Sequence, residues 1–123
     1  MTDKLRILYA EDNEMSDDML EGRLIGQGFH IIRARDGQQA IDTAHSELPD
    51  LILMDTTLPI KNGWQASKEI KTSEDTKHIP IITLTTYVMA GKEKILITIC
   101  DDTQTKPIHL PSLLEKMNRL LTR

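Results

Sequence analysis

Three acidic side chains stand where chemistry is done in an open α/β sheet. Glu11 and Asp12 follow the apolar run Leu5 to Ala10, and Asp55 follows the run Leu51 to Met54. In such sheets reacting groups collect beyond the carboxyl ends of the strands, near the point where the strand order reverses. If the two strands are neighbours, the three carboxylates converge. Like charges about 4 Å apart repel by roughly 1 kcal/mol in water and up to about 4 kcal/mol at an effective dielectric of 20, so such a cluster calls for a counter-charge. Mg²⁺ suits it, being a hard cation that takes oxygen ligands and is commonly held by one or two carboxylates plus phosphate oxygens. Helix capping is the competing reading of Glu11-Asp12-Asn13-Glu14; it accounts for Asp12 or Asn13 and leaves Asp55 unexplained. Three polar features accompany the acids. Thr85 ends a fourth apolar run, Lys106 follows a short polar fifth segment, and Asp55 leads into Thr56-Thr57-Leu58-Pro59 and the turn Asn62-Gly63.

The elements that must position these residues are legible as alternating periods. Leu5 to Ala10, Ile31 to Ala34, Leu51 to Met54 and Ile79 to Thr85 are short apolar runs of the buried-strand kind. Between them lie segments of helical period: Met15/Met19 and Leu20/Leu24, then Ile41, Ala44 and Leu48, and finally the stripe Leu113, Leu114, Met117, Leu120 and Leu121, with Pro111 where that helix can begin. The alternation predicts a parallel sheet covered on both faces, and five β/α units fill the length. Two segments fit poorly. Ile95 to Cys100 is rich in β-branched residues where a fourth helix is expected. Thr103 to Thr105 is polar and short for a fifth strand, although Lys106-Pro107 after it demands extended backbone.

At 123 residues the chain is about one domain, with no repeat, linker or low-complexity tract, so residues 1–123 are expected to carry the whole function. Fifteen Lys and Arg against 19 Asp and Glu leave a net charge of −4, which argues against attraction to nucleic acid or anionic lipid. No signal peptide or membrane-spanning stretch is visible, which predicts a cytoplasmic protein. The single Cys100 reads as a small buried hydrophobe. The four histidines show no metal spacing, Gly26-Gln-Gly28 reads as a helix stop, and Trp64 as a partly buried helix residue.

The strings Ala10-Glu-Asp-Asn13, Asp50-Leu-Ile-Leu-Met-Asp-Thr-Thr-Leu-Pro59, Asn62-Gly63, Pro80-Ile-Ile-Thr-Leu-Thr85, Met89-Ala-Gly91 and Lys106-Pro-Ile108 resemble response-regulator receiver domains of the CheY-like superfamily, in order and over essentially the whole chain. Among receivers the chain is most similar to stand-alone regulators of the DivK kind, because it stops after the last helix. The resemblance implies a doubly wound, flavodoxin-like domain with a five-stranded parallel sheet in the order 2-1-3-4-5 and five flanking helices. It implies that Asp55 takes a phosphoryl group from a histidine kinase or a histidine phosphotransfer protein, as a carboxylate nucleophile. It further implies that Asp12 and Asp55 ligate Mg²⁺, with Glu11 acting largely through water and the carbonyl of Thr57 completing the set. Lys106 and Thr85 would meet the phosphoryl oxygens, and a cis Lys106-Pro107 bond is expected. The result is a switch in partner binding, or a phosphorelay step, and not an enzyme beyond its own phosphoryl transfer and dephosphorylation.

The chain departs from the family pattern between the fourth and fifth strands. Thr103 stands where receivers usually carry Tyr or Phe, Thr86 where a small residue follows the switch threonine, and Ile99 where a glycine often ends the fourth helix. Tyr87 is the nearest aromatic candidate for the switch role. These departures keep open an alternative function as a receiver-like binding module that works without phosphorylation. A dehalogenase-type hydrolase needs a second acid two residues after the nucleophile, and Thr57 occupies that place.

Overall fold

A computed structural model describes residues 4–12, 14–85 and 100–122, the side chains of 14–18 excepted. Its elements run β1 (Arg6–Ala10), α1 (Glu14–Gly26), β2 (His30–Ala34), α2 (Gly37–Glu47), β3 (Leu51–Asp55), α3 (Gly63–Thr72), β4 (Ile81–Thr85), β5 (Asp102–Thr105) and α4 (Leu110–Leu121). The strands form one five-stranded sheet in the order β2-β1-β3-β4-β5. Every pairing is parallel, with Ala10 opposite Met54 and Thr85 opposite Thr105. The fold expected from the sequence is therefore present. The helix expected between β4 and β5, with Met89-Ala-Gly91 and most of Ile95 to Cys100, lies outside the described residues, as do Thr86, Tyr87 and Ile99.

Alternation along the strands explains the two layers. Leu8, Ala10, Ile52, Met54 and Ile81 face one way and meet Ala40, Ile41, Ala44, Ala66 and Ile70 of α2 and α3. Their neighbours Ile7, Tyr9, Leu51, Leu53, Ile82 and Leu84 face the other way and meet Leu20, Leu24, Leu113, Met117 and Leu120 of α1 and α4. β3 and β4 are buried at every position, as central strands of a doubly covered sheet must be. Cys100 joins the core as the small buried residue expected, its thiol contacting Thr83 Oγ1 at 3.5 Å, and burial pushes its pKa up. Trp64 is half-buried against the α2–α3 layer.

Two helical positions read as core face are not. Met19 is 67% exposed, and Leu48 is 51% exposed because it lies beyond α2 as a left-handed cap, donating its N–H to the Ala44 carbonyl. Other ends follow the sequence signals. Asp36 caps α2 by accepting from Gln39 N–H at 2.7 Å, and Asn62 and Gln65 form a reciprocal capping box on α3. α1 stops at Gly26, with Gly28 at φ +97 after it, and Pro111 lies in the first turn of α4.

Candidate functional site

β1 and β3 are neighbours, and β1 has β2 on its other side, so the order reverses between them and a crevice opens beyond their carboxyl ends. Asp55 closes β3 and Glu11 follows β1, and each is only 2% exposed. The β1 end is held on β2 by the Glu11 N–H donating to the Ala34 carbonyl at 2.9 Å. Beyond β3 the chain must turn hard into α3. A Cβ at Gly63 would come within 2.1 Å of the Asp55 carbonyl oxygen, so only glycine permits this packing.

Lys106, which follows β5, lies between the two acids. Its Nζ donates to Asp55 Oδ2 at 2.6 Å and to Glu11 Oε2 at 3.0 Å. Its own N–H donates to the Thr85 carbonyl at 2.8 Å, which ties the ends of β4 and β5 together, and the Lys106-Pro107 bond is cis as expected. The other Asp55 oxygen, Oδ1, accepts from both the backbone N–H and the hydroxyl of Thr57, each at 2.8 Å. Burial pushes the Asp55 carboxyl up, but hydrogen bonds with Glu11, Lys106 and the Thr57 N–H outweigh it and hold the group below its ordinary range. Burial also lowers Lys106, and its bonds to the two acids reverse this and leave it above its ordinary value. The pocket thus holds an ionised, positioned carboxylate facing an ammonium.

The structure brings together Asp55, Glu11, Lys106 and Thr57, with Thr85 buried at the adjoining strand end. Asp12 does not join them. It is exposed, and among the described residues no group of three or more Asp, Glu, His or Cys side chains is gathered closely enough to hold a metal. The three-carboxylate convergence read from the sequence is therefore not formed in this structure. Between Glu11 and Asp55 the Lys106 ammonium supplies the counter-charge.

Thr103 lies in the middle of β5, with its carbonyl accepting from Lys116 Nζ at 2.6 Å. Sequence reasoning overlooked two residues. Gln104 beside it is 6% exposed with its Oε1 unpartnered, and Arg33 of β2 reaches the Glu11 carbonyl at 2.9 Å. The signal for each was a polar side chain within a strand.

With this fold and pocket, the match to known proteins is specific. Residues 7–118 fit the response regulator receiver domain family, and the chain belongs to that family, a component of two-component signalling. It is 35% identical over 116 residues to the polar-differentiation response regulator DivK of Brucella ovis, covering 94% of each chain. Among solved structures it is similar to the receiver domain of a sensor histidine kinase of Pseudomonas aeruginosa PAO1, described with a magnesium ion coordinated in the active site cleft. That match has a TM-score of 0.90 at 30% identity, over 98% of this chain and 100% of the other. The chemotaxis response regulator CheY4 of Vibrio cholerae shares the fold, with a TM-score of 0.86 at 24% identity over 96% of this chain and 99% of its own.

Proposed function

We propose that Asp55 accepts a phosphoryl group from a phosphohistidine on a histidine kinase or a histidine phosphotransfer protein, and that this changes what the domain binds. The observation that carries the proposal is the Lys106 ammonium bridging Asp55 at 2.6 Å and Glu11 at 3.0 Å beyond the strand ends where the order reverses. An ionised carboxylate oxygen attacks phosphorus, the P–N bond to imidazole breaks, and a P–O bond forms an acyl phosphate. Lys106 offsets the negative charge on the equatorial oxygens, and the Thr57 N–H and hydroxyl keep the carboxylate oriented. Water later attacks the same phosphorus and releases phosphate, so the domain acts only on its own phosphoryl group.

The donor set suits Mg²⁺. Glu11 and Asp55 are buried carboxylates that share the Lys106 ammonium, and Asp12 follows Glu11 directly. Glu11, Asp12, Asp55 and the Thr57 carbonyl are the residues that would hold the ion. When bound, it would neutralise charge on the phosphoryl oxygens. The Pseudomonas receiver with magnesium in its cleft supports this reading.

Readout would begin at Thr85, whose hydroxyl would bond a phosphoryl oxygen, and continue into Thr86 and Tyr87. No helix among the described residues is long and apolar enough to cross a membrane. A phosphorylation-independent binding module is the second reading. It is favoured by β5, where Thr103 is strapped to α4 through Lys116 instead of carrying an aromatic side chain. The deciding experiment is intact mass after incubation with acetyl phosphate and Mg²⁺, with Asp55→Asn as control. One phosphoryl adduct on the wild type and none on the variant is expected; an unmodified wild type leaves the second reading.

A further inference from the structure

A cation sits on the far side of the β1–α1 turn from Lys106. Arg33 lies opposite Tyr9 in the β1–β2 register, with its guanidinium carbon 4.9 Å from the Tyr9 ring centroid. Its Nη1 donates to Glu21 Oε1 of α1 at 2.9 Å, and its Nη2 donates to the Glu11 carbonyl, also at 2.9 Å. The side chain is 19% exposed and Tyr9 is fully buried. Its Nε is buried without a partner among the described residues. A lysine ammonium, a compact point charge, cannot span a carbonyl, a carboxylate and a ring face together as a planar guanidinium does.

We infer that Arg33 is a positioning residue of the acid pocket: by clamping the Glu11 carbonyl to β2, to α1 and to the Tyr9 ring, it fixes the turn that presents Glu11 and Asp12. The Glu11 backbone is then held on both its polar groups, its N–H by the Ala34 carbonyl at 2.9 Å and its carbonyl by Arg33. This rests on the reading of Glu11 and Asp12 as cation-binding carboxylates. Electrostatics and positioning predict opposite signs. Removing a positive charge from beside an acidic pocket favours a dication through Coulomb attraction, whereas loosening the turn that carries its ligands disfavours it.

The test uses the full chain as wild type, Arg33→Met and Arg33→Lys, with two readouts. In metal-free protein, amide hydrogen exchange at Glu11 and Asp12 is expected to speed up by about tenfold in both variants, with Leu53 and Met54 unchanged. In calorimetric titration with Mg²⁺ alone, both variants are expected to bind roughly tenfold more weakly than wild type. Wild-type exchange rates at Glu11 and Asp12 in both variants would overturn the inference, as would tighter Mg²⁺ binding in Arg33→Met with wild-type binding in Arg33→Lys. If Arg33→Met does not fold, Arg33→Lys, which keeps the charge, carries both readouts. Should the wild type bind no Mg²⁺, the proposed function fails on that ground, and the exchange rates alone decide the role of Arg33.

Discussion

Polar side chains are buried in the acid pocket and, on β5, at Gln104, but they are partnered in different ways. In the pocket, Asp55 accepts from Thr57 twice and from Lys106 once, and Lys106 also reaches Glu11. The partners come from three different strand ends, so a change of charge at Asp55 is felt by β1, β3 and β5 together. β5 is paired on β4, and two cations of α4 hold it from the other side, Lys116 at the Thr103 carbonyl and Arg119 at Asp102. Among the described residues the buried Oε1 of Gln104 has no partner, whereas the pocket acids share theirs.

The largest expected effect tests the pocket itself. Asp55→Asn is expected to abolish the phosphoryl adduct from acetyl phosphate, read by intact mass, while Thr103→Tyr leaves the adduct intact. An adduct surviving in Asp55→Asn would move the acceptor elsewhere and dissolve the contrast.

Next is Lys106→Ala, which leaves two buried carboxylates without their cation. A loss of about 3 kcal/mol at neutral pH is expected from denaturant midpoints, with some phosphorylation retained and a blunted response to it. The pH dependence has a definite sign. Asp55 titrates lower folded than unfolded, so its contribution is present above its unfolded value and is lost as pH falls through the folded one. Lys106 titrates higher when folded, so its contribution is full below its unfolded value and is lost as pH rises through the folded one. Wild type and variant should therefore differ most between these limits and converge in acid. A difference that persisted below the carboxylate range would mean that Lys106 acts by packing, not by charge.

Mg²⁺ at a hundred times its dissociation constant is expected to stabilise the wild type by about 2.7 kcal/mol, read as a rise in melting temperature. Asp12→Ala should lose most of that gain although Asp12 is exposed in the structure described. A melting temperature indifferent to millimolar Mg²⁺ would count against the ion site.

The smallest effect tests β5. Gln104→Leu removes a buried acceptor with no donor among the described residues and is expected to raise stability by about 1 kcal/mol without changing the rate of phosphorylation. A loss of stability would show that the amide is satisfied and that β5 is no less well built than the pocket.

Much of this was legible without coordinates, and the legible part was local. Apolar runs of strand length, the i,i+4 pattern of Leu20 and Leu24, Asn62-Gly63 as a turn and the acids at strand ends all depend on neighbours within a few residues. The same local rule failed at Met19 and Leu48, because period says which residues share a face and not how far the opposing layer extends. What tertiary structure alone decided is the partnering of charges. Lys106 lies 95 positions from Glu11 and 51 from Asp55, and only the strand order and register place its ammonium between them. That placement leaves Asp12 outside the pair, and the register of β1 on β2 sets Arg33 against Tyr9 and the Glu11 carbonyl. Chain pattern carries the period of each element; the energy of a buried charge depends on which charges stand within a few ångströms of it, and that distance exists only once the sheet has closed.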